Sequence, residues 1–135
     1  MGTKTRSQTT ATERTVEWQS IVVGDGSTVT TMVSGRGYFV NTTSAAAILK
    51  FPATAKQGDF IFIKDYAQTF GSNNVTIQRN NHLVDGTDVD ITLSTTGTIV
   101  KFIYMDDGTR GWSPIIDDTT SGYGKTYIQA TGGTI

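Results

Sequence analysis

Residues Gly58–Asn81 read GDFIFIKDYAQTFGSNNVTIQRNN. Two apolar runs flank a polar loop. In FIFIKD, Phe60, Phe62 and Lys64 fall on one face and Ile61, Ile63 and Asp65 on the other, the two-residue period of a β-strand. Apolar residues on both faces near its start mark a central strand, covered on both sides. NVTIQR alternates as well, with Val75 and Ile77 pointing inward. Between the runs, AQTFGSNN is rich in turn residues, and its simplest reading is a hairpin tip whose Gly and Asn take positive φ. Phe70 is the exception, because no turn needs an aromatic. It is expected either to fold back over the sheet end or to stand exposed as a contact for a neighbouring subunit.

The same rhythm extends in both directions. TVEWQSIVV, from Thr15, is extended and ends at the turn GDGS; TVTTMV stops at SGRG; YFVN and AILKF are short strands, the latter closed by Pro52. Downstream, DVDITL predicts Val89, Ile91 and Leu93 inward, and TGTIVKFIYMDD is a long apolar strand joined to GWSPII by the turn DDGTRG. No window carries a helical stripe, and SAAAILKF is too short and too close to Pro52 for a helix. Short strands separated by Gly, Asn and Asp turns predict an all-β fold, a β-sandwich or β-roll of short antiparallel strands. Residues 1–14, polar and slightly basic through Lys4, Arg6 and Arg14, read as an extended N-terminal arm. It is either a loose terminus or a segment that orders against a neighbour. Residues 15–116 form the β domain, and 117–135 are a Gly- and Thr-rich extension with one short strand at Tyr127–Ala130. No internal repeat is evident.

Composition excludes several classes. The 135 residues suffice for one domain with a modest core. A net charge of −1 supplies no basic field for nucleic acid. The absence of cysteine excludes disulfides and thiolate metal sites. No apolar run approaches the roughly 20 residues of a membrane span, and the first residues lack the apolar core of a secretory signal.

Reactive groups do not assemble into a pattern. His82, the one histidine, sits among Asn80, Asn81 and the more distant Asp85, Asp88 and Asp90, a spacing without the closing Glu of a calcium loop; it reads as a turn residue. Asp106/Asp107 and Asp117/Asp118 are adjacent pairs, which a strand sends to opposite faces rather than across a cleft. GDG at 24–26 is not followed by a helix, so it is no phosphate loop, and no G-x-S-x-G elbow occurs. The chain is read as a non-enzyme with no catalytic residue, metal ligand or cofactor. Trp18 and Trp112 lie in apolar strand patterns and are expected in core or interface packing. Tyr66, Phe70 and Tyr123 are the exposed aromatic candidates.

The ordered series Trp18-Gln19, GYFVNT (Gly37–Thr42), FPA (Phe51–Ala53), Gly58-Asp59, IKDYAQTF (Ile63–Phe70), NNVTIQRN (Asn73–Asn80) and VKFIYMD…GW (Val100–Trp112) resembles a module of structural proteins of tailed bacteriophages, especially phages of marine bacteria and cyanobacteria. It covers roughly Trp18–Ile115; the order of the motifs is fairly specific, while each alone is weak. The resemblance implies a virion component, assembled in the host cytoplasm and extracellular in the mature particle. Its first form is a tail-fibre or appendage protein, anchored through the arm and homo-oligomeric, with a trimer implied by the likeness to fibres. Its second is a capsid decoration protein. A carbohydrate-binding module that meets host-surface glycan is a third reading. Partners would be further copies and other virion proteins of the tail, baseplate or major capsid. The candidate assembly contacts are Lys4, Arg6, Arg14, Trp18, Phe70, Tyr123 and Tyr127.

Overall fold

The computed structural model describes residues 16–118, with side chains to Ile115. Ten strands form two sheets: β1 (Glu17–Trp18), β2 (Val22–Val23), β3 (Val29–Thr31), β4 (Arg36–Asn41), β5 (Ala47–Lys50), β6 (Phe60–Asp65), β7 (Val75–Gln78), β8 (Ile91–Leu93), β9 (Thr98–Tyr104) and β10 (Trp112–Asp118). The first sheet has the order β10-β9-β6-β4-β1, with β2 also on β4; the second runs β3-β5-β7-β8. The fold is all-β and two-layered, as the alternation requires.

The strands are not the antiparallel set the sequence suggested: five of the eight pairings are parallel. From β2 to β7 the chain switches sheet at each step and returns parallel to the strand it left, which winds a flattened coil of three rungs: β2/β3, β4/β5 and β6/β7. Val22 pairs with Val40 and Val29 with Ile48, offsets of 18 and 19 residues; Gly37 pairs with Phe62 and Ala47 with Val75, offsets of 25 and 28. Unequal rungs leave no sequence repeat to detect. β8 and β9 then reverse and close the coil with antiparallel pairing on β7 and β6. The DDGTRG turn is a hairpin as expected, joining β9 to β10. Asp106 accepts from the Arg110 N–H there at 2.6 Å, and these backbone bonds hold its carboxyl below the ordinary range.

Side-chain alternation builds one core between the sheets. Tyr38, Val40, Ile61, Ile63, Val100 and Phe102 descend from the first sheet onto Leu49, Val75, Ile77 and Leu93 of the second. Trp112 is fully buried, as expected. Phe51 stacks on it with centroids 4.7 Å apart and meets Phe102 edge-on at 5.2 Å, geometries that add attraction beyond simple burial. Val89, expected inward, is 64% exposed, because the paired strand begins only at Ile91.

Between β2 and β3, Asp25 makes the GDGS turn. Its carboxylate accepts from the Ser27 and Thr28 N–H groups at 2.9 and 2.7 Å and from the Thr28 hydroxyl. The Thr28 side-chain bond is the main cause of a pKa lowered to about 2.

Two predictions follow from these packings. Phe51→Ala removes the ring between Trp112 and Phe102 and should cost about 3–5 kcal/mol in denaturant unfolding; a loss well below that would mean the stack is dispensable. Because folding depresses the Asp25 pKa, the turn's contribution is complete above the ordinary value of 3.8 and is lost as pH falls through about 2. A carboxyl chemical-shift titration should therefore place the Asp25 midpoint near 2, whereas a midpoint at 3.8 would show the turn open in solution.

Candidate functional site

The polar loop after β6 is not a hairpin tip. β6 and β7 belong to different sheets, so residues 66–74 form a crossover. Its positive-φ residue is Gln68 (φ 60), not a Gly or Asn. The loop is organised from below by Asp65, fully buried at the end of β6. Its carboxylate accepts three backbone N–H groups: Thr69 at 3.0 Å, Phe70 at 3.1 Å and Gly97 at 2.9 Å. A carboxylate has the lone pairs for several donors, and burial of that charge is tolerable only because they converge on it.

Phe70 is consequently pulled inward. It is 0% exposed and belongs to the core cluster, so its candidacy as an exposed assembly contact is overturned; of the two expected placements, the inward one holds. Asn73 donates to the Thr42 carbonyl at 2.9 Å and the hydroxyls of Thr42 and Thr69 meet at 2.7 Å, which ties the loop to the rung before. Gly71 donates to the Thr96 hydroxyl at 3.0 Å, which ties it to the turn leading into β9.

A second polar place is a cleft of about 350 Å³ between the β5–β6 loop and the turn after β7, lined by Ala53, Thr54, Ala55, Asn80, Asn81, His82, Tyr104 and Asp107. Asn80 and Asn81 are consecutive left-handed residues (φ 53 and 69), a conformation Asn tolerates better than most. They turn the chain so that the Asn80 amide donates to Phe51 O at 2.9 Å and a His82 ring nitrogen meets Pro52 O at 2.8 Å. His82 also packs edge-on against Tyr104 and Trp112. Its role is that of a turn residue braced by the core. Tyr104 donates to Asp107 at 3.0 Å; burial first, then the Asp107 bond and the charges of Asp107 and Asp106, raise its pKa. The cleft offers hydrogen-bonding groups from Thr54, Asn80, Asn81, His82, Tyr104 and Asp107. Among the described residues, no three His, Asp or Glu side chains are grouped to hold a metal ion.

The third feature is the outer face of the first sheet. Alternation that sends Tyr38, Ile61, Ile63, Val100 and Phe102 inward sends Phe39, Phe60, Phe62, Ile99 and Ile103 outward. Trp18 lies flat across this face, stacked on Phe39 at 4.3 Å and tilted to Phe62 at 6.1 Å. Gly37 makes this possible: a Cβ there would stand 2.5 Å from the Trp18 ring. Trp18 remains 43% exposed and Ile115, paired opposite Lys101, is 58% exposed. The Lys101 ammonium sits 5.4 Å from the Phe60 and Phe62 centroids. The outer face of the second sheet, in contrast, is lined by Lys50, Thr76 and Gln78 beside Ile48.

Of the residues singled out by sequence, Trp18 is on this aromatic face, Tyr66 is exposed beside the crossover, and Phe70 is core. Lys4, Arg6, Arg14, Tyr123 and Tyr127 lie outside the described residues. Sequence reasoning missed Asp65, although its signal was present: a carboxylate at an inward position of the most apolar strand. No family model matches the chain, and neither does any curated protein.

Asp65→Asn leaves one acceptor oxygen and turns an amide N–H₂ toward backbone donors. It should destabilise the domain by about 2–4 kcal/mol, measured by denaturant unfolding; a near-neutral effect would show that the crossover is held by other contacts.

Proposed function

We propose that this chain is a non-catalytic structural component of the virion of a tailed bacteriophage, a tail-fibre or appendage module that attaches through its N-terminal end and works as a homo-oligomer, with a trimer as the form its likeness to fibres implies. The observation that carries this reading is the state of the first rung. Among the described residues, five of the nine exposed large apolar side chains fall between Trp18 and Val33: Trp18, Ile21, Val23, Val29 and Val33, with Val23 at 63%. β1 and β2 pair only with β4, and β3 only with β5, among the described residues. Open backbone edges bearing apolar side chains call for a cover. Residues 1–15, with Lys4, Arg6 and Arg14, precede this rung in the chain, and on this reading arm and open rung act together in attachment. The basic residues suit an acidic neighbour and give attachment that weakens with salt.

The residues that carry the phage resemblance support a scaffold role. Gly37 admits Trp18, Asp65 seats Phe70, Asn73 clamps the crossover, and Asn80 anchors the turn to Phe51. Asn73 and Asn80 hold the third rung to the second, Asp65 fixes the crossover within the third, and Gly37 seats β1 on β4.

Deleting residues 1–14 should leave the β domain folded by far-UV circular dichroism but remove the protein from particles purified from infected cells. Normal incorporation would make the arm a loose terminus. Electron micrographs of antibody-labelled virions should place label at the tail; label over the head facets would replace this reading with capsid decoration.

A further inference from the structure

The turn after β7 lines two polar clefts. One, of about 350 Å³, includes Thr54, Ala55, His82 and Asp107; the other, of about 270 Å³, includes Lys50, Gln78, Arg79 and Asp90. Asn80 and Asn81 belong to both. The clefts therefore adjoin across this turn and make one groove. Its residues come from the ends of β5, β7 and β9 and the loops beside them, and none from the first rung.

The lining narrows the ligand. Two cations, Lys50 and Arg79, are balanced by two carboxylates, Asp90 and Asp107, so the groove selects no strongly charged molecule. Apart from the Tyr104 ring, the apolar surface of the larger cleft is the methyl groups of Ala53 and Ala55, far less than the hydrophobic walls that seat most apolar ligands. What the groove supplies is donors and acceptors side by side, the two roles that a hydroxyl fills at once.

Several of these groups are unspent by the fold. Asp107 accepts the Tyr104 hydroxyl on Oδ1 at 3.0 Å, which orients the carboxylate and leaves Oδ2 for another donor. Pro52 O can only accept, so the proton of the His82 ring in their 2.8 Å contact is on Nε2. Asn81 is exposed, and its side chain makes no hydrogen bond among the described residues. Yet it holds φ 69, where glycine is the unstrained choice. The fold uses the Asn81 backbone, while the amide lines both clefts.

We propose that this groove binds a neutral oligosaccharide, with one sugar ring in each cleft and the junction at Asn81. Hydroxyls donate to Asp107 and accept from the Asn81 amide and the Lys50 ammonium. The larger cleft is at the lower end of the roughly 300–1,000 Å³ of ligand pockets, the size for a single ring. Recognition is by hydrogen bonds, without stacking on Trp18 or Tyr66. The proposal stands apart from the virion assignment, because it uses no residue of the attachment surface.

His82 is the one histidine of the chain, so its imidazole resonances are unambiguous reporters. The full isotopically labelled chain is titrated with maltose, cellobiose, lactose and N,N′-diacetylchitobiose, and with a digalacturonate as the charged comparison. At least one neutral disaccharide should shift the His82 ring and Asn81 side-chain signals with a Kd of about 1 mM or tighter. Asn81→Gly keeps the left-handed backbone and should weaken that binding about tenfold, the loss expected for a hydrogen bond, while signals outside the groove stay in place. Asp107→Asn keeps an acceptor for Tyr104, removes a charge-assisted bond and should weaken binding at least as much. No shift with any of the neutral sugars overturns the proposal. So do shifts confined to Trp18, Phe39 and Phe62, binding of the digalacturonate alone, or an affinity that neither substitution lowers.

Discussion

The Asp65 carboxylate is the constraint on which the described fold most depends. It sits at the end of the central strand of the first sheet, beside Val40 in the parallel ladder, and gathers the N–H groups of Thr69, Phe70 and Gly97. These donors belong to the crossover that starts β7 in the second sheet and to the turn that starts β9 in the first. One buried side chain thus fixes where the coil leaves the first sheet, where Phe70 enters the core, and where the chain returns to pair antiparallel. A hydrophobic residue could fill the same space but would strand three backbone donors, two of them, Phe70 and Gly97, buried.

That knot also explains what could and could not be read from the sequence. Alternation made the strands, their inward residues and the all-β class legible: Ile61, Ile63, Val75 and Ile77 are where the two-residue period puts them. Strand direction was not legible. A hairpin and a crossover between sheets place the same side chains inward, and AQTFGSNN contains the Gly and Asn of a hairpin. What distinguishes them is long-range: Asp65 reaching Gly97, and Asn73 reaching Thr42. Such contacts leave no local pattern. Phe70 was correctly seen as odd for a turn, and the bonds that decide its direction come from residues on either side of it in space rather than in sequence. Trp18 was expected in core or interface packing, and of these the core is excluded: its strand is only two residues long, and the ring lies over Gly37 on the outside of the sheet.

The two outer faces set how the domain meets its surroundings. The second sheet shows water Thr, Gln and Lys; the first shows Phe39, Phe60, Phe62 and Ile103, half-buried by one another and by Trp18. The first rung adds open edges with apolar side chains. Both surfaces adjoin the ends of the described chain. This distribution, with polar groups spent on holding the fold together and exposed apolar side chains gathered in the first rung and on one face, is what supports the proposed role in assembly.

Hydrogen exchange tests the central claim most directly. If the Asp65 carboxylate holds the crossover as a unit with the core, the amides of Thr69, Phe70 and Gly97 open only with global unfolding, and their exchange free energies match those of the core strand amides of Ile63 and Val100. Exchange of these three amides through a local opening, well below the core values, would contradict it and make the crossover an independent loop.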